Sequence, residues 1–133
     1  MRKFVMSFVA LAVLSVHAAA PAKGFEQRSP EQVIASATAA YQARDRARFV
    51  AHFADDAIVD ANGFTFQGRA QIAEAYAQNF RPDAPTVRVV DREAYANRVI
   101  DTIEYTERGQ VYCCTVTAYF VEDGQITYAR VTM

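Results

Sequence analysis

FADDAIVDANGFTFQGRAQIAEAYAQNF, residues Phe53 to Phe80, is the stretch on which the fold turns. It reads as a helix end, a short strand to Ala61, a turn at Asn62-Gly63 and a second short strand through Phe66. An amphipathic helix then enters through Gly68-Arg69. From Arg69 to Asn79 it places Ile72, Ala73, Tyr76 and Phe80 on one side, and Pro82 and Pro85 stop it.

Upstream lie helices. Ser29-Pro30-Glu31-Gln32 combines a capping Ser, Pro at the first helical position and Gln at the third, the pattern of a capping box. Val33, Ala37, Ala40 and Tyr41 follow at helical spacing, and Asp45 can cap a second short helix with Phe49, Val50 and Phe53 as its apolar stripe. Arg44, Arg46 and Arg48 read as a solvated face.

Downstream the period changes to two. Thr86–Tyr95, Val99–Glu107, Gln110–Val121 and Gln125–Thr132 are rich in Val, Ile, Thr, Tyr and Phe. Turn residues separate them, and Asp123-Gly124 is a strong two-residue hairpin signal. Helices followed by an antiparallel meander predict an α+β domain, a curved antiparallel sheet wrapped around N-terminal helices as a cone. Such a cone encloses a cavity.

The first residues read as an address. Arg2 and Lys3 precede a 13-residue apolar run, Phe4 to Val16, and Val16-His17-Ala18 offers a small-residue cleavage site. The run is shorter than the roughly 20 residues a membrane span needs. The expected organisation is a signal peptide at 1–18, a flexible leader at 19–28 and one domain at 29–133. The product would be exported, periplasmic or secreted, with no membrane association after cleavage. Without Arg2 and Lys3 the 14 basic residues become 12 against 15 acids, a net charge of −3. No clustered basic face points to nucleic acid. No cofactor motif is present, and one mature histidine without Cys/His spacing supports no protein-built metal site.

Asp45 at the second helix, Phe53-Ala54-Asp55-Asp56-Ala57, Gly68-Arg69 with Ile72, and Phe120 to Ile126 across Asp123-Gly124 occur in an order that resembles the SnoaL-like, or nuclear transport factor two-like, superfamily. The likeness covers about residues 30 to 133 and implies the cystatin-like cone. Within that superfamily the Ala-Asp-Asp-Ala strand and Gly-Arg helix are similar to those of ketosteroid isomerase. That enzyme uses an Asp base and an oxyanion site of a Tyr and a protonated Asp. The resemblance puts Ala61 at the base position, Ala37 at the Tyr position with Tyr41 one turn later, and Val116 at the protonated Asp. The scaffold is implied without the isomerase's working residues.

Other groups are candidates for chemistry. The expected inward sets are Val99, Asp101, Ile103 and Tyr105 on one strand, then Tyr112, Cys114, Val116, Ala118 and Phe120, then Thr127, Ala129, Val131 and Met133. Asp101 is the one carboxylate in these sets, and an acid aimed into an apolar cone suits general acid or base work. The alternative is an ion pair with an arginine such as Arg98, or a one-residue bulge that turns Asp101 outward. Asp60 is a second candidate base, or else a turn former beside Asn62-Gly63. Tyr41, Phe53, Phe64, Tyr76, Tyr105, Val116 and Phe120 are the candidate ligand-binding residues. His52 could flank the pocket or simply be hydrogen-bonded.

Cys113-Cys114 would point to opposite faces of a regular strand, as packed small side chains or with Cys113 near a dimer interface. Two functional classes stay open. One is an exported pocket protein that binds a small, mostly apolar molecule, with or without proton-transfer activity of an isomerase, cyclase or hydrolase kind. The other is a non-catalytic dimerisation or partner-binding module whose cone is plugged by its own side chains. A homodimer through the sheet face is expected in either.

Overall fold

The computed structural model describes residues 27–133, so the signal peptide expected at 1–18 and most of the leader lie outside the described residues. Ser29 opens α1 (Pro30–Gln42). Its hydroxyl accepts the Gln32 N–H at 3.2 Å, and the Gln32 side-chain oxygen accepts the Ser29 N–H at 2.9 Å. This reciprocal box satisfies amides that the first turn of a helix cannot pair internally. Val33, Ile34, Ala37 and Ala40 form the buried face of α1. Asp45 caps α2 (Arg46–Val50) by accepting the Arg48 N–H at 3.1 Å.

Phe53 opens a strand rather than closing a helix. β1 spans Phe53–Ala61 and β2 spans Phe64–Gln67. α3 (Gly68–Tyr76) follows and tightens into a 3₁₀ turn, Ala77–Phe80. β3 (Thr86–Tyr95), β4 (Arg98–Glu107), β5 (Gln110–Glu122) and β6 (Gln125–Thr132) complete one six-stranded sheet in the order β2-β1-β6-β5-β4-β3. β3 to β6 form an antiparallel meander, and β1 returns parallel to β6. Asp123 and Gly124 take φ of 50° and 74°, the paired positive values that a two-residue hairpin needs. The α+β cone expected from the sequence is the observed architecture.

Phe53, Ile34, Ile72, Ile126, Val33, Val59 and Val99 are completely buried between the helices and the concave sheet face. The Gly68-Arg69 pair anchors α3 to β1. Gly68 has φ +83°, and a Cβ there would stand 3.4 Å from the Asp55 carbonyl oxygen. Arg69 then donates from Nε to the Phe53 carbonyl at 2.7 Å and pairs with Asp55 at 2.8 Å. Arg44, expected on a solvated face, instead donates to the carbonyls of Arg81 at 2.9 Å and Ala84 at 2.6 Å. It ties the end of α1 to the loop before β3.

Bulges decide which side chains enter the cone. On β5, Tyr105 pairs with Tyr112 but Ile103 pairs with Thr115, so Cys113 and Cys114 together oppose Glu104. One extra residue in a strand exchanges its faces beyond that point. Thr117, Tyr119 and Val121 are therefore buried, whereas Val116 is 39% exposed. The expected inward placement of Cys114, Val116, Ala118 and Phe120 is corrected by this single bulge. Cys113 and Cys114 do not flank a regular strand either: they share the bulge, with their sulfurs joined to each other. On β3 a second irregularity at Val90 separates the Val89–Ile103 and Asp91–Thr102 pairs. It turns Arg92 to the inner face.

Candidate functional site

A cavity of about 410 Å³ lies between the helices and the inner sheet face. That is within the range of roughly 300–1,000 Å³ typical of small-molecule pockets. Its helical wall is an aromatic cluster packed edge to face. Tyr41 lies 5.4 Å from Phe49 and 5.1 Å from Phe80, and Phe49 lies 5.1 Å from Tyr76, centroid to centroid. Edge-to-face contacts suit the ring quadrupoles and leave phenol tips free to point elsewhere. The sheet wall is apolar with short hydroxyl side chains: Val59 and Val131, Val89 and Ile103, then Thr115 and Thr117. Asn62 and Met133, both exposed, stand at the mouth.

Neutral hydroxyls supply the polarity. The Tyr41 oxygen accepts a hydrogen bond from Asn79 Nδ2 at 2.8 Å, which leaves its own proton to donate. Burial raises the Tyr41 pKa, opposed by the Asn79 bond and by Arg44. Burial also pushes up the phenol of Tyr76, with a smaller push from Tyr41. The Tyr119 phenol is raised by burial, then by Tyr76 and Asp101, against weaker opposition from the Thr117 hydroxyl and Arg92. Desolvation disfavours the phenolate in each case, so all three remain protonated donors at neutral pH. Among the described residues, no buried side-chain nitrogen or oxygen lacks a partner. Among the described residues the Tyr76 hydroxyl has no hydrogen-bond partner, and Tyr76 lines the cavity.

The expected site residues divide. Tyr41, Tyr76 and Tyr105 line the cavity. Phe53 is fully buried behind it, 5.3 Å from Phe49. Phe64 is 69% exposed on the edge strand β2, and its place on the wall is taken by Phe66. Val116 is on the outer face, as is Phe120, which packs on Tyr128 at 5.7 Å and lies under the Arg98 guanidinium.

Neither candidate acid is on the cavity wall. Asp101 is on the inner face as expected and has no solvent exposure. Its Oδ1 accepts Arg92 Nε at 2.6 Å and its Oδ2 accepts Arg92 Nη2 at 2.7 Å. The partner is Arg92 rather than Arg98, because the bulge at Val90 brings Arg92 inside. Arg92 Nη2 also donates to the Thr38 hydroxyl at 3.1 Å, and Asp101 raises the guanidinium pKa further. Asp60 lies on the outer face. Thr65 donates to it at 2.6 Å and Tyr128 at 2.7 Å. Those two bonds, Thr65 first, with Arg130 behind them, hold its carboxyl below the usual range. A carboxylate so stabilised is a poor base. Of the positions compared with ketosteroid isomerase, Ala61 lines the cavity, Ala37 is buried and Val116 faces away.

Sequence reasoning missed Tyr119, Thr115, Thr117, Thr38 and Asn79, all on the wall. Alternation alone would have found the β5 members had the bulge at Cys113-Cys114 been anticipated. Among the described residues, no cluster of three His, Cys, Asp or Glu could hold a metal ion.

The family model for the SnoaL-like domain matches residues 34–129. No curated protein matches the chain. Among solved structures, a nuclear transport factor two-like protein of unknown function from Burkholderia xenovorans LB400 superposes with a TM-score of 0.67. The two are 19% identical, over 77% of this chain and 80% of that one. A protein with a ketosteroid isomerase-like fold from Catenulispora acidiphila DSM 44928, solved with trimethylamine, gives a TM-score of 0.65 at 18% identity, covering 80% of this chain and 87% of that one. A protein of cystatin-like fold from Methylobium petroleophilum PM1 gives 0.66 at 18% identity, covering 77% and 74%. At these identities the likeness concerns the fold.

Proposed function

From the premise that the chain belongs to the SnoaL-like domain family, we propose that it is an exported pocket protein that binds a small, mostly apolar molecule bearing a hydrogen-bond acceptor such as a carbonyl. The observation that carries this reading is the composition of the cavity wall. Four phenols, Tyr41, Tyr76, Tyr105 and Tyr119, line it, and among the described residues no carboxylate or histidine side chain does. A neutral acceptor in an apolar body satisfies such donors without introducing an unpaired charge. Proton abstraction by Asp101 is disfavoured, since Asp101 lies off that wall and Arg92 donates to both of its carboxylate oxygens. A second copy of the chain is the proposed partner of the outer sheet face, where Ile100, Ala118 and Val116 stand on neighbouring strands.

Calorimetric titration with a series of small cyclic ketones and their matching hydrocarbons tests the proposal. The ketone of each pair should bind about 5- to 10-fold tighter, the worth of one net hydrogen bond. Equal affinities within every pair, or no binding across the series, would overturn it.

A further inference from the structure

Outside the cavity, α1 and the segment after α2 bring a serine and a histidine together. His52 Nδ1 lies 2.7 Å from the Arg48 carbonyl oxygen, and His52 Nε2 lies 2.9 Å from Ser36 Oγ. A carbonyl only accepts, so Nδ1 carries the proton and Nε2 of the neutral ring presents its lone pair. Ser36 therefore donates its hydroxyl proton to His52. This is the relationship of a nucleophile to a general base, with the base held in its tautomer and orientation by a third group.

The arrangement is fixed by backbone. The His52 N–H donates to the Phe49 carbonyl at 3.1 Å, and its own carbonyl accepts the Ile126 N–H at 2.8 Å. Ser36 and Thr38 are two residues apart on α1, roughly 200° around the helix. Thr38 lines the large cavity, whereas Ser36 opens onto a separate depression with Gln27, Arg28, Gln32 and Ala35. Arg28 spends one N–H on the Gln32 carbonyl at 3.3 Å. Its remaining donors and the Gln32 carboxamide line the same depression as Ser36. Gln32 Oε1 accepts the Ser29 N–H, and the two N–H groups on Gln32 Nε2 are donors besides.

We propose that Ser36 and His52 form an acyl-transfer site for small carboxylic esters, independent of the cavity. Ser36 Oγ bonds to the ester carbonyl carbon while its proton passes to His52 Nε2. The carbonyl electron pair moves onto oxygen, facing Arg28. Collapse breaks the bond to the alkoxy oxygen, which leaves as the alcohol with the proton from His52. Water then attacks the Ser36 ester and gives its proton to His52. The acid departs and the proton returns to Ser36.

The full chain is treated with p-nitrophenyl acetate and, separately, with a fluorophosphonate, and the modified residue is mapped by mass spectrometry. Label is expected on Ser36 and not on Ser29, which serves only as the α1 cap. Ser36→Ala should abolish it. His52→Asn should slow acylation by about 100-fold or more, the usual contribution of a positioned base, with circular dichroism confirming the fold. If His52→Asn does not fold, the exposed Arg28→Gln serves in its place and should slow acylation with the melting temperature retained. Label elsewhere, equal labelling of Ser36→Ala, or a rate no greater than that of free imidazole at the same concentration would overturn the proposal. None of these outcomes touches ligand binding in the cavity.

Discussion

Asp101 on β4 and Arg92 on β3 face each other across the inner side of the sheet, joined by two hydrogen bonds of 2.6 and 2.7 Å. The carboxylate has no solvent exposure and the guanidinium side chain retains 19%. A buried carboxylate is tolerated because a bidentate guanidinium replaces its hydration in matching geometry. The pair holds β3 to β4 and, through Thr38, to α1.

Asp101→Asn therefore acts on stability first. Removing one member of a buried pair leaves the other uncompensated, at about 3 kcal/mol, the low end of the usual range because Arg92 keeps some contact with water. Urea unfolding of wild type and variant measures it, and a midpoint shift worth less than about 1 kcal/mol would count against a structural role.

Tyr76→Phe removes a donor from the cavity and little else, whereas Tyr119→Phe also removes the partner of the buried Thr117 hydroxyl. Each should weaken ketone binding by about 5- to 10-fold, one net hydrogen bond, and leave hydrocarbon binding unchanged. Calorimetry on both ligand types separates loss of a donor from a change of cavity shape, which would weaken both.

Alkaline pH should destabilise the fold. Burial raises the pKa of Tyr41, Tyr76 and Tyr119 above the ordinary 10.0. Above pH 10 the unfolded chain releases phenol protons that the folded chain retains, so the free energy of unfolding falls as pH rises. The contribution is complete below pH 10 and is lost as pH climbs through the folded-state values. Denaturant midpoints at successive pH steps from 8 to 11 should be flat and then fall. Tyr76→Phe should soften the fall, and an unchanged decline in that variant would exclude Tyr76 as a contributor.

Gly68→Ala should destabilise by about 1 kcal/mol or somewhat more, because alanine is strained at positive φ. The strain arises at φ +83°, with the new Cβ in ordinary contact with the Asp55 carbonyl. Thermal melting monitored by circular dichroism reads it. Gly63→Ala, at φ +86° with no atom near its Cβ, separates backbone strain from the approach to Asp55.

Export with cleavage before Ala19 predicts that protein recovered from outside the cytoplasm begins at Ala19. An intact mass for that fraction that retains Met1 to Ala18 would refute it.

Local patterns made most of the architecture legible. The capping box at Ser29, the Asp45 cap, the Asp123-Gly124 hairpin and the helix behind Gly68-Arg69 all depend on residues a few positions apart, and all four occur. Tyr41, Tyr76 and Tyr105 were legible as pocket residues because helical spacing and simple alternation hold where they lie. Val116 and Phe120 were not. Between them and the turn at Arg108-Gly109 sits the bulge at Cys113-Cys114, and one inserted residue is invisible to a period-two pattern. Arg92 was missed for the same reason, with Val90 as the inserted residue.

By itself, the Phe53–Phe80 segment with its flanking helices and strands determined the α+β cone, since caps, turns and periodicity are set by neighbours along the chain. Only the tertiary structure decided what enters the cone. Strand bulges are fixed by pairing with a partner strand and by the packing of both faces, and each shifts every later side chain through half a turn. That is why the cavity is walled by Tyr119 and the threonines while Val116 points away, and why Asp101 meets Arg92 instead of a ligand.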